Sequence, residues 1–178
     1  MTDAITVLTT DHRAVDGLFS QIEGQDAPDQ DLLDRIVKEL SIHDAIEREH
    51  LYPVLRERLP DGDRWSDRSV DEHNEIATTL VKVDKRPSGT EGLATLLASL
   101  ISEVRTHVQE EEGEIFPALR AALSQTELDD LGATLEKAKT SAPTRPHPHA
   151  PDEGTGTKVA GAVSAPLDRL RDAAQGRS

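Results

Sequence analysis

Two stretches of this chain, 64 residues apart, carry the same order of residue types. The first reads HDAIEREHLYP from His43, and the second reads HVQEEEGEIFP from His107. In each, a histidine is followed by a glutamate four residues later, then by an aromatic residue and a proline (Glu47, Tyr52 and Pro53; Glu111, Phe116 and Pro117). Residues four apart on an α-helix point the same way. Each stretch therefore predicts a helix that carries a paired imidazole and carboxylate.

Four segments show the apolar spacing of three and four residues that is typical of amphipathic helices. We expect these helices at about 3–23, 29–59, 66–85 and from about 90 onward, with breaks at Gly24, at Pro60-Asp61-Gly62 and at Arg86-Pro87-Ser88-Gly89. A shorter fifth helix is predicted to begin at Thr126, with Asp129 as its capping partner. No strand pattern competes, so the sequence predicts an all-α, up-down-up-down four-helix bundle followed by a short fifth helix.

The histidines and glutamates of the repeat fall on the faces of their helices that we expect to be buried. In the second helix this face is predicted to run through Leu33, Ile36, Leu40, His43, Glu47, His50 and Val54. In the fourth helix it is predicted to run through Leu97, Leu100, Val104, His107, Glu111, Glu114 and Ala118. His12 and His73 have similar places in the first and third helices. Two hairpins related by a pseudo-two-fold axis would each supply half of one site.

Six side chains form this predicted site: His12, His43, Glu47, His73, His107 and Glu111. One histidine on a buried face is more often part of a core than a ligand, and one histidine–glutamate pair is usually on the surface. The joint pattern differs, because all five histidines before residue 140 lie on predicted buried faces. Buried carboxylates also cost several kcal/mol unless they are paired or bound to a metal. The six residues together therefore predict a metal site.

The donor atoms narrow the kind of metal. Four imidazoles and two carboxylates suit iron, manganese or zinc. The chain has no cysteine, which excludes disulfides, iron–sulfur clusters and thiolate zinc sites. Two glutamates can each bridge two ions, so a dinuclear site fits these six groups better than a single ion does.

Composition narrows the partners. The net charge is −14 at pH 7, which disfavours nucleic acids and anionic membranes because their phosphates would be repelled. No apolar run reaches the ~18 residues of a transmembrane helix, and the N-terminus lacks the basic and apolar regions of a secretory signal. We expect a cytoplasmic protein whose partner is a small molecule, and a protein partner is left open.

With the two repeats and the histidines at positions 12 and 73, the chain resembles hemerythrin-like proteins of the bacterial HHE cation-binding type over roughly residues 3–140. The resemblance implies a non-haem diiron centre, with zinc or manganese less expected. It also implies that Glu47 and Glu111 are bridging carboxylates and that an open iron position binds O2, peroxide or nitric oxide.

One position departs from the oxygen-carrying hemerythrins, which have a second histidine one turn after the histidine of the third helix. Ala77 stands there in this chain. His50 or Tyr52 could complete the site instead, although Tyr52 lies about 180° from His43 on a regular helix and needs a distortion at Pro53 to reach it. The departure makes oxygen storage less expected. It favours a diiron peroxidase or catalase-like enzyme, or an iron or redox sensor without turnover.

Outside the bundle, residues 141–178 are rich in proline and glycine and predict a mobile linker that metal binding does not need. A short C-terminal helix is also considered, although Pro166 stands inside its pattern. Within the repeat, Glu49 and Glu112 are turned away from the predicted ligands and are expected in solvent.

Overall fold

The computed structural model describes residues 2–23, 25, 27–149 and 165–174. Its helices are α1 (Ala4–Ile22), α2 (Gln30–Ile46), α3 (Tyr52–Arg58), α4 (Gly62–Asp84), α5 (Leu93–Glu110), α6 (Phe116–Ala122), α7 (Gln125–Lys139) and α8 (165–174). A π-turn joins α2 to α3 (Glu47–Leu51), and another joins α5 to α6 (Glu111–Ile115). No strand occurs in the described residues, which confirms the all-α prediction.

Local side-chain chemistry sets several of the helix ends. Asp3 caps α1 by accepting a hydrogen bond from the amide of Thr6 at 2.8 Å. The fifth predicted helix is α7, but its cap is not Thr126 with Asp129. Ser124 caps it in a reciprocal arrangement with Glu127. The cap therefore lies two residues earlier than predicted.

Four rods form the bundle: α1, then α2 continued into α3, then α4, then α5 continued into α6. Consecutive rods pack side by side, α5 also contacts α1, and α7 packs on α1 and α2. The short connections between rods give the antiparallel order that the sequence predicted. Among the described residues, no helix is long and apolar enough to cross a bilayer.

Two apolar cores lie at the two ends of the bundle. The first contains residues from α1, α2, α4 and α5, among them Phe19, Ile36, Leu80 and Leu100. The second lies around the π-turns and under α7, and includes Leu8, Tyr52, Leu55, Leu119 and Leu135. A layer of polar side chains separates the two cores, and this layer contains the predicted site.

Each long rod contains one π-turn at the same place in the repeat. In the first, the amide of Tyr52 donates to the carbonyl of Glu47, five residues back rather than four. Pro53 explains the wider turn, because a proline has no N–H and its ring clashes with the carbonyl four residues earlier. The second π-turn has the same contact and the same proline (Glu111, Phe116 and Pro117).

The π-turns overturn one expectation about the buried faces. Beyond Glu47 the buried residues of the apolar core are Leu51, Tyr52, Leu55 and Leu59, whereas the predicted Val54 is only partly buried. Beyond Glu111 the buried residues are Ile115, Phe116, Leu119 and Leu123, whereas the predicted Glu114 is exposed. An inserted residue rotates the rest of each rod by about 100°. The predicted faces are therefore correct up to the two glutamates and wrong after them.

The C-terminal segment packs on the bundle where it is described. Thr144 and Arg145 are buried, and Thr144 Oγ1 donates to Asp172 of α8 at 2.7 Å. The guanidinium of Arg145 bridges Asp84 of α4 and Asp172. We call residues 141–149 the strap. This part of the predicted linker therefore contacts the bundle, with the guanidinium of Arg145 bound on both sides.

Helix α8 lies within the segment where the sequence left a short C-terminal helix open. Pro166 stands in its first turn, where a proline is tolerated because its missing N–H has no partner to lose. The part of the predicted linker between the strap and α8 lies outside the described residues.

Candidate metal centre

The six predicted ligands meet in the polar layer between the two cores. All six are buried, and the two glutamates have no exposed surface. Their ligand atoms form two groups that share Glu47, each with its members within 4.8 Å of one another: His12, His43, Glu47 and Glu111 in one, and Glu47, His73 and His107 in the other. The structure thus brings together every residue that the repeat predicted.

The four imidazoles face each other in two pairs. The Nε2 atoms of His12 and His43 are 3.2 Å apart, and those of His73 and His107 are 2.8 Å apart. Each pair joins a histidine from α1 or α4 to a histidine from one of the two helices that carry the repeated motif, α2 or α5. This arrangement is the pseudo-two-fold relation expected from the sequence.

Each glutamate spans both histidine pairs. Glu47 places Oε1 3.4 Å from Nε2 of His43 and Oε2 3.3 Å from Nε2 of His73. Glu111 places Oε2 at similar distances from the other two imidazoles (3.4 Å from His12 and 3.5 Å from His107). Both carboxylates therefore have the position that a bridging ligand needs.

An outer ring of four carboxylates faces the Nδ1 atoms of the four histidines. The distances are 2.9 Å for His12–Glu112, 3.7 Å for His43–Asp11, 2.6 Å for His73–Asp44 and 2.8 Å for His107–Glu72. Three of these are hydrogen bonds, and the fourth is longer than one. Around the bundle, each rod supplies the carboxylate for the histidine of the next. A proton held at Nδ1 leaves Nε2 as an inward-facing lone pair, which is the form that binds metals.

The side chains of the polar layer are arranged more favourably for a site with a bound cation than for one without. Lone pairs on facing Nε2 atoms repel each other at 2.8–3.2 Å. Within the described structure, Oε1 of Glu47 and both carboxylate oxygens of Glu111 are buried without a hydrogen-bond partner. Neighbouring ligands on an ion with bonds of about 2.1 Å lie roughly 3 Å apart, close to the separations found here. The residues present therefore fit metal ions.

The charges of the two glutamates conflict when no cation balances them. Burial raises the pKa of Glu47 well above its usual range, and the charge of Glu111 raises it further. Burial also acts to raise the pKa of Glu111, but His107 and His12 lower it to about 2. Burial, with the neighbouring His107, lowers the pKa of His73 to about 4. A cation in this layer would stabilise both carboxylates in their ionised form.

The π-turns bring the two aromatic residues of the repeat to the site. The hydroxyl of Tyr52 lies 3.1 Å from Nε2 of His73 and 3.5 Å from Oε2 of Glu47. Phe116 stacks on His12 with ring centroids 5.8 Å apart. Tyr52 can reach the site only if the helix is distorted near Pro53, and the π-turn immediately before Pro53 is such a distortion. His50 is not among the converging ligand atoms of the described residues, and its Nε2 lies 3.7 Å from Glu49.

The outer ring also corrects the expectation that Glu112 is in solvent. Its Oε1 bonds to His12 while its Oε2 accepts from Arg13 at 2.6 Å. A turn of about 100° from Glu111 points toward α1 rather than water. Sequence spacing along one helix could not show this, because the neighbouring rod decides it. Glu49 is partly exposed.

Each outer carboxylate contacts one basic side chain. Three of these are at least partly exposed and lie around the bundle: Lys139 at Asp11, Arg68 at Glu72 and Arg13 at Glu112. The fourth is Arg48, which is fully buried and donates from Nε to Asp44 at 2.6 Å. The order imidazole, carboxylate, cation is thus repeated four times around the site.

A small cavity of about 30 Å³ lies against the ligands on the side of the first core. Its apolar wall includes Ala77, Leu40, Ile76, Leu80 and Val104, and the ligand histidines form its floor. A water needs roughly 10–15 Å³ of such volume. The cavity therefore has room for a molecule of about two heavy atoms. A side chain larger than alanine at position 77 would extend into this space.

Comparison with known proteins agrees with this geometry. The hemerythrin HHE cation-binding domain model matches residues 3–119. An uncharacterized hemerythrin-like protein of Schizosaccharomyces pombe is 29% identical over 177 residues, which cover 97% of this chain and 86% of the relative. A solved hemerythrin HHE cation-binding domain-containing protein from Mycobacterium kansasii aligns with a TM-score of 0.67 and 26% identity, over 79% of this chain and 90% of its own.

A third relative differs in length. A protein of Nostoc named DNA nickase is 27% identical over 135 residues, which cover 75% of this chain but 38% of that protein. The other two matches extend over most of both proteins. With its family match over residues 3–119 and its converging histidines and glutamates, the chain belongs to the hemerythrin HHE cation-binding domain family.

Proposed function

We propose that this protein binds two iron ions between its two histidine pairs, and that the loaded centre binds or reacts with O2, peroxide or nitric oxide. The observation that carries the proposal is the convergence of six buried side chains in which the Nε2 atoms of all four imidazoles face inward, and three of these rings are held by a hydrogen bond at Nδ1. His12 and His43 would serve one ion, and His73 and His107 the other. Glu47 and Glu111 would bridge the two.

The number of ions follows from the ligand atoms. Two groups of these atoms share Glu47, and both glutamates reach across both histidine pairs. A single ion would leave one histidine pair without a metal, whereas two ions would use both pairs and would offset the charges of the two buried glutamates. Nitrogen and oxygen donors without sulfur favour iron over copper(I).

Bound iron supplies redox chemistry toward small ligands of oxygen and nitrogen, and the protein controls what reaches it. The cavity beside Ala77 is small and mostly apolar, which suits a ligand of about two heavy atoms better than a larger substrate. Buried ligands and apolar cores on both sides keep bulk water away. The carboxylates that bond to His12, His73 and His107 hold a proton at Nδ1 and keep these three rings in their orientation.

The cavity favours the enzymatic form of this proposal, a diiron peroxidase or catalase-like activity, because it gives peroxide a place to bind. The second candidate is an iron or redox sensor without turnover. The packed strap favours it, since a C-terminal segment that touches the bundle could report the state of the centre. The two differ in whether hydrogen peroxide is consumed repeatedly.

Nicking of DNA, which the name of the Nostoc protein states for that protein, is not proposed for this chain. The match covers 38% of that protein. The net charge of −14 also repels a phosphate backbone.

The test is metal analysis and an optical spectrum of protein purified from iron-replete cells, followed by assays with hydrogen peroxide and nitric oxide. We expect two irons per chain and an absorption spectrum that changes when either ligand is added. Catalytic loss of peroxide would support the enzyme, and a spectral change without turnover would support the sensor. One ion per chain, or zinc alone after growth in iron, would contradict the diiron assignment.

A further inference from the structure

Arg48 is the basic residue of the outer ring that has no exposed surface. It follows Glu47 directly, and its counterpart in the second repeat is Glu112, which follows Glu111. The same place beside the two bridging carboxylates therefore holds a cation in one half of the bundle and an anion in the other. Burying a guanidinium is costly unless its hydrogen bonds are satisfied. Its partners show what it is positioned to do.

A continuous set of hydrogen bonds runs from Arg48 to a ligand imidazole. Its Nε donates to Oδ1 of Asp44 at 2.6 Å, and the same oxygen accepts from Nδ1 of His73 at 2.6 Å. Asp44 is thus shared between the guanidinium and the imidazole. The planar, rigid fork of an arginine fixes a carboxylate more closely than a flexible lysine would.

On its other side, Arg48 is tied to the strap. Its Nη2 donates to Oδ1 of Asn74 at 3.1 Å, and the same oxygen accepts the backbone N–H of His149 at 3.0 Å. Asn74 follows His73 in α4. Four contacts therefore lead from the strap backbone through Asn74, Arg48 and Asp44 to the Nδ1 of His73.

The strap itself is held firmly at its centre. Arg145 is buried between Asp84 and Asp172, and Thr144 donates to Asp172. These contacts join α4, the strap and α8. Undocking the strap would remove the backbone donor from Asn74 and expose the side of Arg48.

We propose that Arg48 is a positioning residue that fixes the imidazole of His73 through Asp44, and that the docked strap fixes Arg48 through Asn74. Strap docking and metal retention at the His73–His107 pair then favour each other. The inference rests on the proposed metal binding. Because coupling of two equilibria is reciprocal, metal should hold the strap down as firmly as the strap holds the metal.

The experiment measures release of Fe²⁺ from the loaded, full-length protein to a coloured chelator. The variants are Arg48→Gln, Asn74→Ala and a chain ending at Thr140, and the control is Arg35→Gln on the exposed face of α2. Loss of a group that orients a ligand typically weakens metal binding by about 10–100-fold. We expect each variant to bind two ions in excess iron and to release one of them roughly tenfold faster, with the other ion and the control unchanged.

A second measurement separates positioning from a general loss of stability. Cobalt(II) loaded in place of iron reports ligand geometry in its visible spectrum, which should change in Arg48→Gln and Asn74→Ala but not in Arg35→Gln. Asn74→Ala leaves no buried charge unpaired at Asp44, so it tests the relay even if Arg48→Gln folds poorly. In the wild type, amide exchange over residues 142–149 should be slower with iron bound than without it.

Equal release rates in the wild type and all variants would overturn the proposal. Faster release in Arg48→Gln alone, with unchanged rates in Asn74→Ala and the shortened chain, would overturn the part played by the strap. Failure of the proposed function has a different signature, because the wild type itself would then bind fewer than two irons per chain.

Discussion

The two halves of the site, one around His12 and one around His73, offer the same kinds of proposed ligand but have different surroundings. The half around His12 has Phe116 stacked on the ring and an exposed Arg13 behind Glu112. The half around His73 has a tyrosine hydroxyl against the ring and a buried guanidinium behind the outer carboxylate. The inward-facing donor atoms are thus alike in the two halves, whereas the groups behind the imidazoles differ in charge, size and exposure.

The difference makes the two proposed metal positions unequal. Each half has two outer carboxylates that are paired with basic side chains, but the cation next to Glu47, Arg48, is fully buried, whereas Arg13 at Glu112 is exposed, so water and salt screen the positive charge of Arg48 less. Negative charge stabilises a metal cation and positive charge opposes it. The His12–His43 position should therefore hold its ion more tightly than the His73–His107 position. The substitutions and the metal removal described next test the proposed ligands and the difference between the two positions.

The largest effect is expected from Glu47→Gln and Glu111→Gln. Glutamine keeps the volume of glutamate but removes the charge and bridges two ions poorly. Each change should therefore lower iron affinity more than the ~100-fold that loss of an outer partner can cost. Elemental analysis should show at most one iron per chain in both variants, to a similar extent.

Glu49→Gln is the matched control in the same π-turn, and it should retain two irons with a stability change within about 0.5 kcal/mol. If Glu111→Gln keeps both irons, Glu111 is not a bridging ligand and the half-site symmetry fails.

Removal of metal should have the next largest effect. A ligand at about 100 times its dissociation constant stabilises the folded state by about 2.7 kcal/mol, and each kcal/mol shifts Tm by roughly 2–4 °C in a chain of this size. Two ions should therefore raise Tm by roughly 10 °C or more. Calorimetry before and after chelation checks this, with metal content verified. An unchanged midpoint would mean that the polar layer is stable without cations.

Asp44→Asn should cost more than Glu112→Gln. Both remove the acceptor of a ligand histidine and should weaken iron binding by about 10–100-fold. Asp44→Asn also leaves the buried charge of Arg48 without its carboxylate, which costs about 3–5 kcal/mol for a broken buried pair. Urea unfolding of the metal-free proteins measures that added cost. The ranking is contradicted if Glu112→Gln unfolds at the lower urea concentration.

The smallest effect is expected from Tyr52→Phe, which gives the first repeat the phenylalanine that the second repeat has at this position (Phe116). The hydroxyl makes contacts with Glu47 and His73, and the net loss of a hydrogen bond is about 1 kcal/mol. Iron content should stay at two per chain, because Tyr52 is not one of the six proposed ligands. Loss of one iron would instead make Tyr52 a ligand and answer the question left open by Ala77.

The fold and the six converging residues were predictable because both depend on helical spacing. Regular i, i+4 geometry places His43 beside Glu47 and His107 beside Glu111 without knowledge of the neighbouring rods. Spacing failed where the backbone stops being regular. The prolines at 53 and 117 signalled a distortion, but the sequence did not show its form, a π-turn with one inserted residue before each proline.

The outer carboxylates were beyond the sequence for another reason. Each lies on a different rod from the histidine that it contacts, so bundle geometry and not helix spacing places it there. Without the geometry of the bundle, Glu112 was predicted to lie in solvent. The strap likewise has the composition of a linker, and the pairing of Arg145 with Asp84 and Asp172 joins residues far apart in the chain.

The polar layer also sets how the bundle can come apart. It divides the interior into two apolar compartments that share no apolar contact surface across the ligands. Each compartment draws on segments of all four rods, so each can act as a cooperative unit of its own. Iron would join them, since every rod contributes a ligand. We therefore expect the two ends to open more independently of each other in the metal-free chain than in the loaded one.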